Sequence, residues 1–194
     1  SCREEEPQPP APECEMDNSI DAMKRWYFFK EGSTWDYQDQ FSGAVDHVVV
    51  SDYVEEYYSD GRFYLRVLLY SSYYNFYWVL ETSDEGYTYL KSDPICQRIR
   101  IIESRGEVNT FVFPSNVGDL YKDYQWRTVN EFYNTSVGTN VTFAKVLRMV
   151  HPFYDNGYAE AYTEMYLAEG VGVVRMHRPG QNEDWCLIDY NIVE

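Results

Sequence analysis

The sequence predicts a mainly β protein: a long antiparallel meander that forms a strongly curved sheet or an open or half β-barrel, with at most one or two short helices. Two observations lead to this prediction. Aromatic residues make up 18% of the 194 residues, with 20 Tyr and 5 Trp, and such side chains suit half-buried pleated surfaces. Runs rich in aromatic and β-branched residues are also separated by glycine-containing turn signals, which is the pattern of successive hairpins.

The elements are expected in the following order. Ser19 can cap a short helical turn that ends at Lys24. A first strand is expected at 26–30 and a second at 34–41, with Gly32 in the turn between them. The other expected strands cover residues 45–58, 62–70, 75–82, 87–91, 97–103, 108–113, 124–133, 139–150, 158–168, 171–177 and 185–193.

One of these strands shows a clear core face. Phe63, Leu65, Val67 and Leu69 alternate along it and therefore point to the same side of the sheet. We expect that side to be buried.

Residues 1–18 differ in composition from residues 19–194. They are rich in proline and glutamate and contain no aromatic or β-branched residue, so they cannot bury enough apolar surface to fold alone. We expect an extended tether at 1–18, followed by a single β-rich domain at 19–194.

After Ser1 the tether has a cysteine, a basic residue and three acidic residues: Cys2, Arg3, Glu4, Glu5 and Glu6. This stretch resembles the anchor and export signal of Bacteroidetes surface lipoproteins. The resemblance implies that Cys2 carries the acyl chains and that the acidic run directs the protein to the outer face of the outer membrane. Otherwise the stretch is an ordinary charged terminus of a secreted or periplasmic protein, with Cys2 free or paired with Cys14.

A second resemblance lies near the C-terminus. Residues 166–174, with Gly170 and Gly172 on either side of Val171, are similar to a segment of secreted lipoproteins of the lipoprotein-carrier type, whose antiparallel sheet is strongly curved. Two glycines around a valine also fit a β-bulge or a sharp bend of the sheet. No helix is expected after them, so the sequence favours a bend over a phosphate-binding loop.

The four cysteines form no CxxC pair, so the sequence predicts neither a sulfur-ligated metal nor a redox motif. In an oxidising compartment Cys96 and Cys186 could form a disulfide. The alternative is two buried free thiols. Strand parity favours the alternative, because Cys186 is in phase with Ile188 and Tyr190 on an expected core face, whereas Cys96 is in phase with arginines.

The formal net charge of −16 repels phosphate backbones, so no nucleic-acid partner is expected. No run of about 18 apolar residues is present, so no membrane-spanning helix is expected. His47, His151 and His177 are not at metal-ligand spacing, and no serine lies in a nucleophile elbow. The sequence therefore predicts no catalytic residue, metal or cofactor.

Aromatic clusters give the best candidates for contact residues. Tyr73 and Tyr74, at a predicted hairpin bend, and Tyr57 and Tyr58, at a strand end, could form an interface. The alternative is ordinary cross-strand packing.

Three functions follow from these observations. The first is a non-catalytic surface lipoprotein that acts as an accessory subunit or binding module of an outer-membrane protein complex and touches the membrane through its acyl chains. The second is a carrier of a hydrophobic ligand in a curved-sheet or lipocalin-like cavity, which requires about 300 to 1,000 Å³. The third is a secreted hydrolase, which requires two facing carboxylates in a cleft.

Overall fold

A computed structural model describes residues 20–83, 98–103, 108–112, 125–152 and 162–194. These residues form one short helix, eleven strands and a 3₁₀ turn. Helix α1 is Ile20–Trp26 and the 3₁₀ turn is Pro179–Gln181. The strands are β1 Thr34–Asp39, β2 Val45–Tyr57, β3 Phe63–Ser71, β4 Phe76–Ser83, β5 Arg98–Glu103, β6 Val108–Val112, β7 Gln125–Thr135, β8 Phe143–Pro152, β9 Tyr162–Ala168, β10 Gly172–Arg178 and β11 Glu183–Asn191.

Ten antiparallel pairings join the strands into one curved sheet, in the order β6-β5-β4-β3-β2-β1-β11-β10-β9-β8-β7. The edge strands β6 and β7 meet through two parallel residue pairs, Thr110 with Gln125 and Phe111 with Trp126. This narrow contact completes a barrel. The predicted fold class, a mainly antiparallel β meander with very little helix, is confirmed; whether the sheet closes was left open by the sequence.

The predicted strands agree with the described ones, apart from shifts of a few residues at their ends, except at two places. The expected strand at 87–91 lies outside the described residues, as does the tether at 1–18. The expected strand at 26–30 is wrong, because Trp26 ends helix α1 and residues 27–30 form no strand.

The physical reason is the burial of this segment. Trp26, Tyr27, Phe28 and Phe29 are all buried, with exposed fractions between 3% and 8%. Strand β1, in comparison, buries only alternate residues. Four consecutive buried aromatic residues instead form a plug, which packs against the side chains that the strands send into the barrel.

Register shifts mark β-bulges in the barrel wall. One shift lies between β1 and β11, where Asp36 is opposite Asp189 but Tyr37 is opposite Leu187, so Ile188 is an extra residue. This corrects the predicted core face of β11. Trp185 and Leu187 are opposite the inward residues Asp39 and Tyr37, so they form the core face, whereas Cys186 is in phase with Asp184 on the outer face. Cys186 is nevertheless buried, and Ile188 is 54% exposed.

The barrel has two different ends. The β2–β3, β7–β8 and β9–β10 turns lie at one end, and the β1–β2, β3–β4 and β10–β11 connections lie at the other. Helix α1 is attached at the first end, which we call the helix end: Lys24 pairs with Glu55 on β2, and the Gly170 amide donates to the Arg25 carbonyl at 2.7 Å. We call the opposite end the far end.

The interior between the two ends is closely packed. The predicted core face of β3 is confirmed, since Leu65 and Val67 are fully buried and Leu69 packs against the core. Other fully buried side chains come from β2, β8, β9 and β10: Val50, Val146, Met149, Leu167 and Val174.

Candidate ligand-binding site

A cavity of about 160 Å³ lies among the interior side chains. Most of the residues around it are aromatic or aliphatic, and only a few are polar. They are Trp26, Tyr27, Phe29, Trp35, Tyr37, Asp46, Val48, Leu69, Tyr74, Trp78, Leu80, Met165, Gly172, Val173, Met176, Arg178 and Trp185. The plug, strands β1 to β4 and strands β9 to β11 all contribute to this lining.

Strand β1 places two of the rings. Trp35 and Tyr37 are buried and alternate with half-buried neighbours, so both point inward. Their polar atoms are satisfied at the start of β10: the Trp35 indole Nε1 donates to the Val171 carbonyl at 2.6 Å, and the Tyr37 hydroxyl donates to the Val173 carbonyl at 2.8 Å. These hydrogen bonds hold the two rings in place on the β1 side of the pocket.

The rim of the pocket lies at the far end. Tyr74 is half buried and donates its hydroxyl hydrogen bond to Glu183 at 2.7 Å, while the Trp185 indole Nε1 donates to the Tyr74 hydroxyl at 3.1 Å. Arg178 is also half buried; its guanidinium lies 5.5 Å from the centre of the Tyr74 ring and 3.7 Å from the Glu183 carboxylate. Burial, followed by the hydrogen bond to Glu183, raises the pKa of Tyr74, although the charge of Arg178 opposes the rise. The phenol is therefore a neutral donor at neutral pH.

Asp46 is the one carboxylate among the residues that line the pocket. It is 4% exposed and accepts hydrogen bonds from the Ser71 hydroxyl at 2.8 Å and from the Tyr73 amide at 3.0 Å. The Ser72 hydroxyl is a third donor, at 3.4 Å. All three donors are uncharged.

Asp46 is directly opposite Tyr37 in the β1–β2 pairing, so the two side chains lie together on the inner face. Burial raises the pKa of Tyr37, and the negative charge of Asp46 raises it further. The carboxylate thus acts electrostatically on the interior of the pocket.

The predicted interface aromatics do not form one surface. Tyr73 and Tyr74 lie in the β3–β4 turn at the far end, whereas Tyr57 and Tyr58 lie beside the β2–β3 turn at the helix end. The length of β3 separates the two pairs by roughly 25 Å. Only Tyr74 belongs to the pocket, and the 48%-exposed ring of Tyr73 packs at 4.8 Å from Trp185, beside the rim.

The predicted sheet-bend residues Gly170 and Gly172 lie in and just after the β9–β10 turn. Both have positive φ, at 78° and 91°. A Cβ atom on Gly172 would be 2.9 Å from Cε2 of Phe29, whereas one on Gly170 would meet nothing. Gly172 therefore allows the plug to pack against the barrel wall.

The remaining predicted site residues fall mostly outside the described part. Cys2, Arg3, Glu4, Glu5, Glu6 and Cys96 are outside the described residues. Cys186 has no disulfide partner among the described residues; its thiol is buried, and burial and the nearby Asp184 charge raise the pKa of this thiol. The Cys96–Cys186 pairing, the lipid anchor at Cys2 and the export signal stay predictions.

Within the described ranges, no group of three or more His, Cys, Asp or Glu side chains is arranged to hold a metal ion. No helix in this part of the chain has the length and apolar character needed to cross a membrane. The two facing carboxylates that a hydrolase requires are not brought together around the pocket by the described residues, because Asp46 is the sole acidic residue of the lining.

Sequence reasoning missed most of the pocket. Trp26, Phe29, Asp46, Arg178 and Trp185 were not predicted as site residues. A signal was present for the plug, since four consecutive aromatic residues do not alternate and so do not fit a two-sided strand. No local signal marks Asp46, because its position opposite Tyr37 is set by pairing between strands.

Comparisons with protein-family models, with curated proteins and with solved structures find no match to this chain. The functional conclusion therefore depends on the site itself.

Proposed function

We propose that the barrel is a non-catalytic binding module whose site is the interior pocket, and that its ligand is a small, largely apolar molecule. The observation that carries this proposal is the cavity of about 160 Å³ lined mostly by aromatic and aliphatic side chains. Ligand sites in proteins are typically concave and apolar, with a few placed polar groups. Asp46, Tyr74 and Arg178 are the polar groups of this cavity.

The volume limits the size of the ligand. Engineered apolar cavities of about 150 Å³ bind benzene, so this pocket suits a molecule of similar size. It is smaller than the roughly 300 to 1,000 Å³ of typical ligand pockets. The plug explains the difference, since Trp26, Tyr27 and Phe29 take up interior space at the helix end. A small ligand, rather than a long lipid chain, is the carrier function that this pocket supports.

The experiment measures benzene binding by isothermal titration calorimetry and by the rise in melting temperature. The wild-type protein should bind benzene. Leu69→Trp should abolish binding by filling the pocket. Leu68→Trp is the matched control, because Leu68 is on the same strand with its side chain on the opposite face, and it should keep the affinity. A wild-type protein that neither releases heat nor gains thermal stability with benzene would refute the proposal.

A second candidate is the accessory subunit of an outer-membrane complex. It is favoured by exposed aromatic side chains at the helix end: Tyr57 is 58% exposed and Tyr58 is 45% exposed. Such rings are common at protein interfaces. Gentle detergent extraction of native material should then co-purify an outer-membrane protein, and Tyr57→Ser with Tyr58→Ser should release it. A monomer in the wild-type extract would count against this candidate.

The predicted location at the cell surface belongs to the same candidate function, the accessory subunit. The resemblance of residues 2–6 to a lipoprotein signal supports acylation of Cys2 at the cell surface. Intact mass of native material tests it: a diacyl or triacyl adduct on Cys2 is expected, and an unmodified Cys2 would contradict it.

A further inference from the structure

We infer that the ligand is a small organic cation, an alkylammonium or quaternary ammonium compound, bound between the aromatic rings and the Asp46 carboxylate. This inference deepens the proposed function and depends on it. The inference is based on the position of the buried Asp46 carboxylate beside a cavity lined by aromatic rings.

Asp46 is buried without a counter-ion among the described residues. Removing a charge from water costs free energy unless the charge is paired. The hydrogen-bond donors to Asp46 are all uncharged: the hydroxyls of Ser71 and Ser72 and the amide of Tyr73. No lysine, arginine or histidine in the described part of the chain forms an ion pair with Asp46. A positive charge can be supplied by a ligand in the adjacent cavity.

The rings around the cavity suit the same ligand. An aromatic face attracts a cation within about 6 Å of its centre, and the attraction is strongest for Trp and in sites shielded from water. Four of the five tryptophans line this pocket: Trp26, Trp35, Trp78 and Trp185. The rim already contains one such contact, between Arg178 and the Tyr74 ring at 5.5 Å.

Arg178 does not reverse the electrostatic preference for a cation. Its guanidinium is at the rim, where Glu183 lies 3.7 Å away and offsets its charge. The charge of Asp46 is therefore the unbalanced one among the groups that line the pocket. The net charge of −16 on the whole chain adds a field that attracts cations and repels anions.

The experiment compares choline with 3,3-dimethylbutan-1-ol, the uncharged compound of the same shape in which carbon replaces the ammonium nitrogen. Quenching or enhancement of tryptophan fluorescence reports binding, since four tryptophans line the pocket. The wild-type protein at low ionic strength should bind choline at least about tenfold more tightly than the neutral compound. This comparison needs no variant, so it does not depend on a mutant that folds.

Two variants then test whether Asp46 causes the preference for choline over the neutral compound. Asp46→Asn keeps the shape and the acceptor oxygen, and it should reduce the preference for choline by about tenfold. Asp36→Asn is the control: it removes the same charge from the neighbouring strand, but Asp36 faces outward and pairs with His47 at 2.6 Å. The preference of Asp36→Asn for choline over the neutral compound should stay within about threefold of the wild-type preference.

The outcomes separate the two proposals. If the neutral compound binds as tightly as choline, the pocket is a binding site but the ligand is not a cation, and the inference fails alone. An equal loss of preference in Asp36→Asn and Asp46→Asn also overturns it, because the whole-chain field would then be responsible. If choline, the neutral compound and benzene all fail to bind, the proposed function fails with it.

Discussion

Asp39, Asp46 and Asp184 are carboxylates buried near the far end of the barrel, and Asp46 and Asp184 differ in how their charge is balanced. Asp184, 9% exposed, accepts two hydrogen bonds of 2.8 Å from the Arg175 guanidinium. Asp46, 4% exposed, accepts hydrogen bonds from serines and a backbone amide. The outer face of the β10–β11 wall thus carries its own counter-ion, whereas the described residues provide none for Asp46 on the inner face.

The difference separates a structural pair from a candidate binding group. Arg175 and Asp184 form a bidentate pair, which neutralises both partners and holds β10 to β11. Asp46 is held in place by its hydroxyl and amide donors, and its negative charge lies beside the cavity.

Arg175→Met should lower the free energy of unfolding by about 3 kcal/mol, because it leaves the Asp184 carboxylate buried without its partner. Urea denaturation monitored by circular dichroism measures the loss. Arg62→Met is the control: its pair with Asp60 is exposed on both sides, so the change should stay within about 0.5 kcal/mol. Equal losses in the two variants would show that burial of the outer pair does not matter.

Gly172→Ala should destabilise the protein by about 2 kcal/mol and reduce benzene binding. The added Cβ atom would lie 2.9 Å from the Phe29 ring, and φ at this residue is 91°. Gly170→Ala has a similar positive φ but open space, so it should cost about 1 kcal/mol, from backbone strain alone. Chemical denaturation gives both values. The packing of Phe29 against Gly172 would be contradicted if Gly170→Ala were the more damaging substitution.

Glu55 is intermediate between Asp184 and Asp46 in how its charge is balanced, because its partners are one cation and two phenols. Burial would raise its pKa, but hydrogen bonds from Lys24, Tyr53 and Tyr57 outweigh burial and lower the pKa to about 2. The folded pKa is below the ordinary value of 4.5, so the stabilisation is complete above about pH 4.5 and is lost as pH falls through about 2.

We therefore expect Glu55→Gln to be less stable than wild type at pH 7 by about 1 to 2 kcal/mol, a value that allows for partial solvent exposure of the pair. The difference in the free energy of unfolding between wild type and Glu55→Gln should become smaller between pH 4.5 and 2, as measured by urea denaturation at a series of pH values. Glu56→Gln, at the exposed neighbouring residue, is the control and should show little difference at any pH. A gap for Glu55→Gln that does not change with pH would contradict the assignment.

Asp46→Asn should have the smallest effect on stability, about 1 kcal/mol or less. The amide oxygen can still accept from Ser71 and Tyr73, and no described cation loses a partner. Thermal and urea unfolding of the unliganded protein measure the change. A loss as large as that of Arg175→Met would show that the Asp46 charge is compensated within the protein, and the contrast between the two carboxylates would be wrong.

Local patterns were sufficient to predict the strands. The alternation in β3 and the turn at Gly32 both correspond to features of the barrel. They succeed because side-chain period and turn chemistry are properties of neighbouring residues. The strand predicted at 26–30 is wrong. Aromatic residues favour strands in general, but those of this segment fill the barrel interior.

The pocket could not be predicted in the same way. Tyr74 was named as a contact residue from its hairpin bend, and it does line the pocket. Asp46 on β2 and Trp185 on β11 lie near each other because both strands pair with β1, and the bulge at Ile188 that shifts the register of β11 has no signature in composition. Contacts between residues that are distant in sequence depend on register, which one strand alone does not specify.

Helix α1 has a consequence for how the barrel is presented to its surroundings. The chain that precedes Ile20 joins the barrel through this helix, whose Lys24 and Arg25 are fixed to the helix end by Glu55 and Glu169. The rim with Tyr74 and Arg178 is at the far end. The described chain therefore enters the barrel at the end opposite to the rim, so its entry point leaves the rim open.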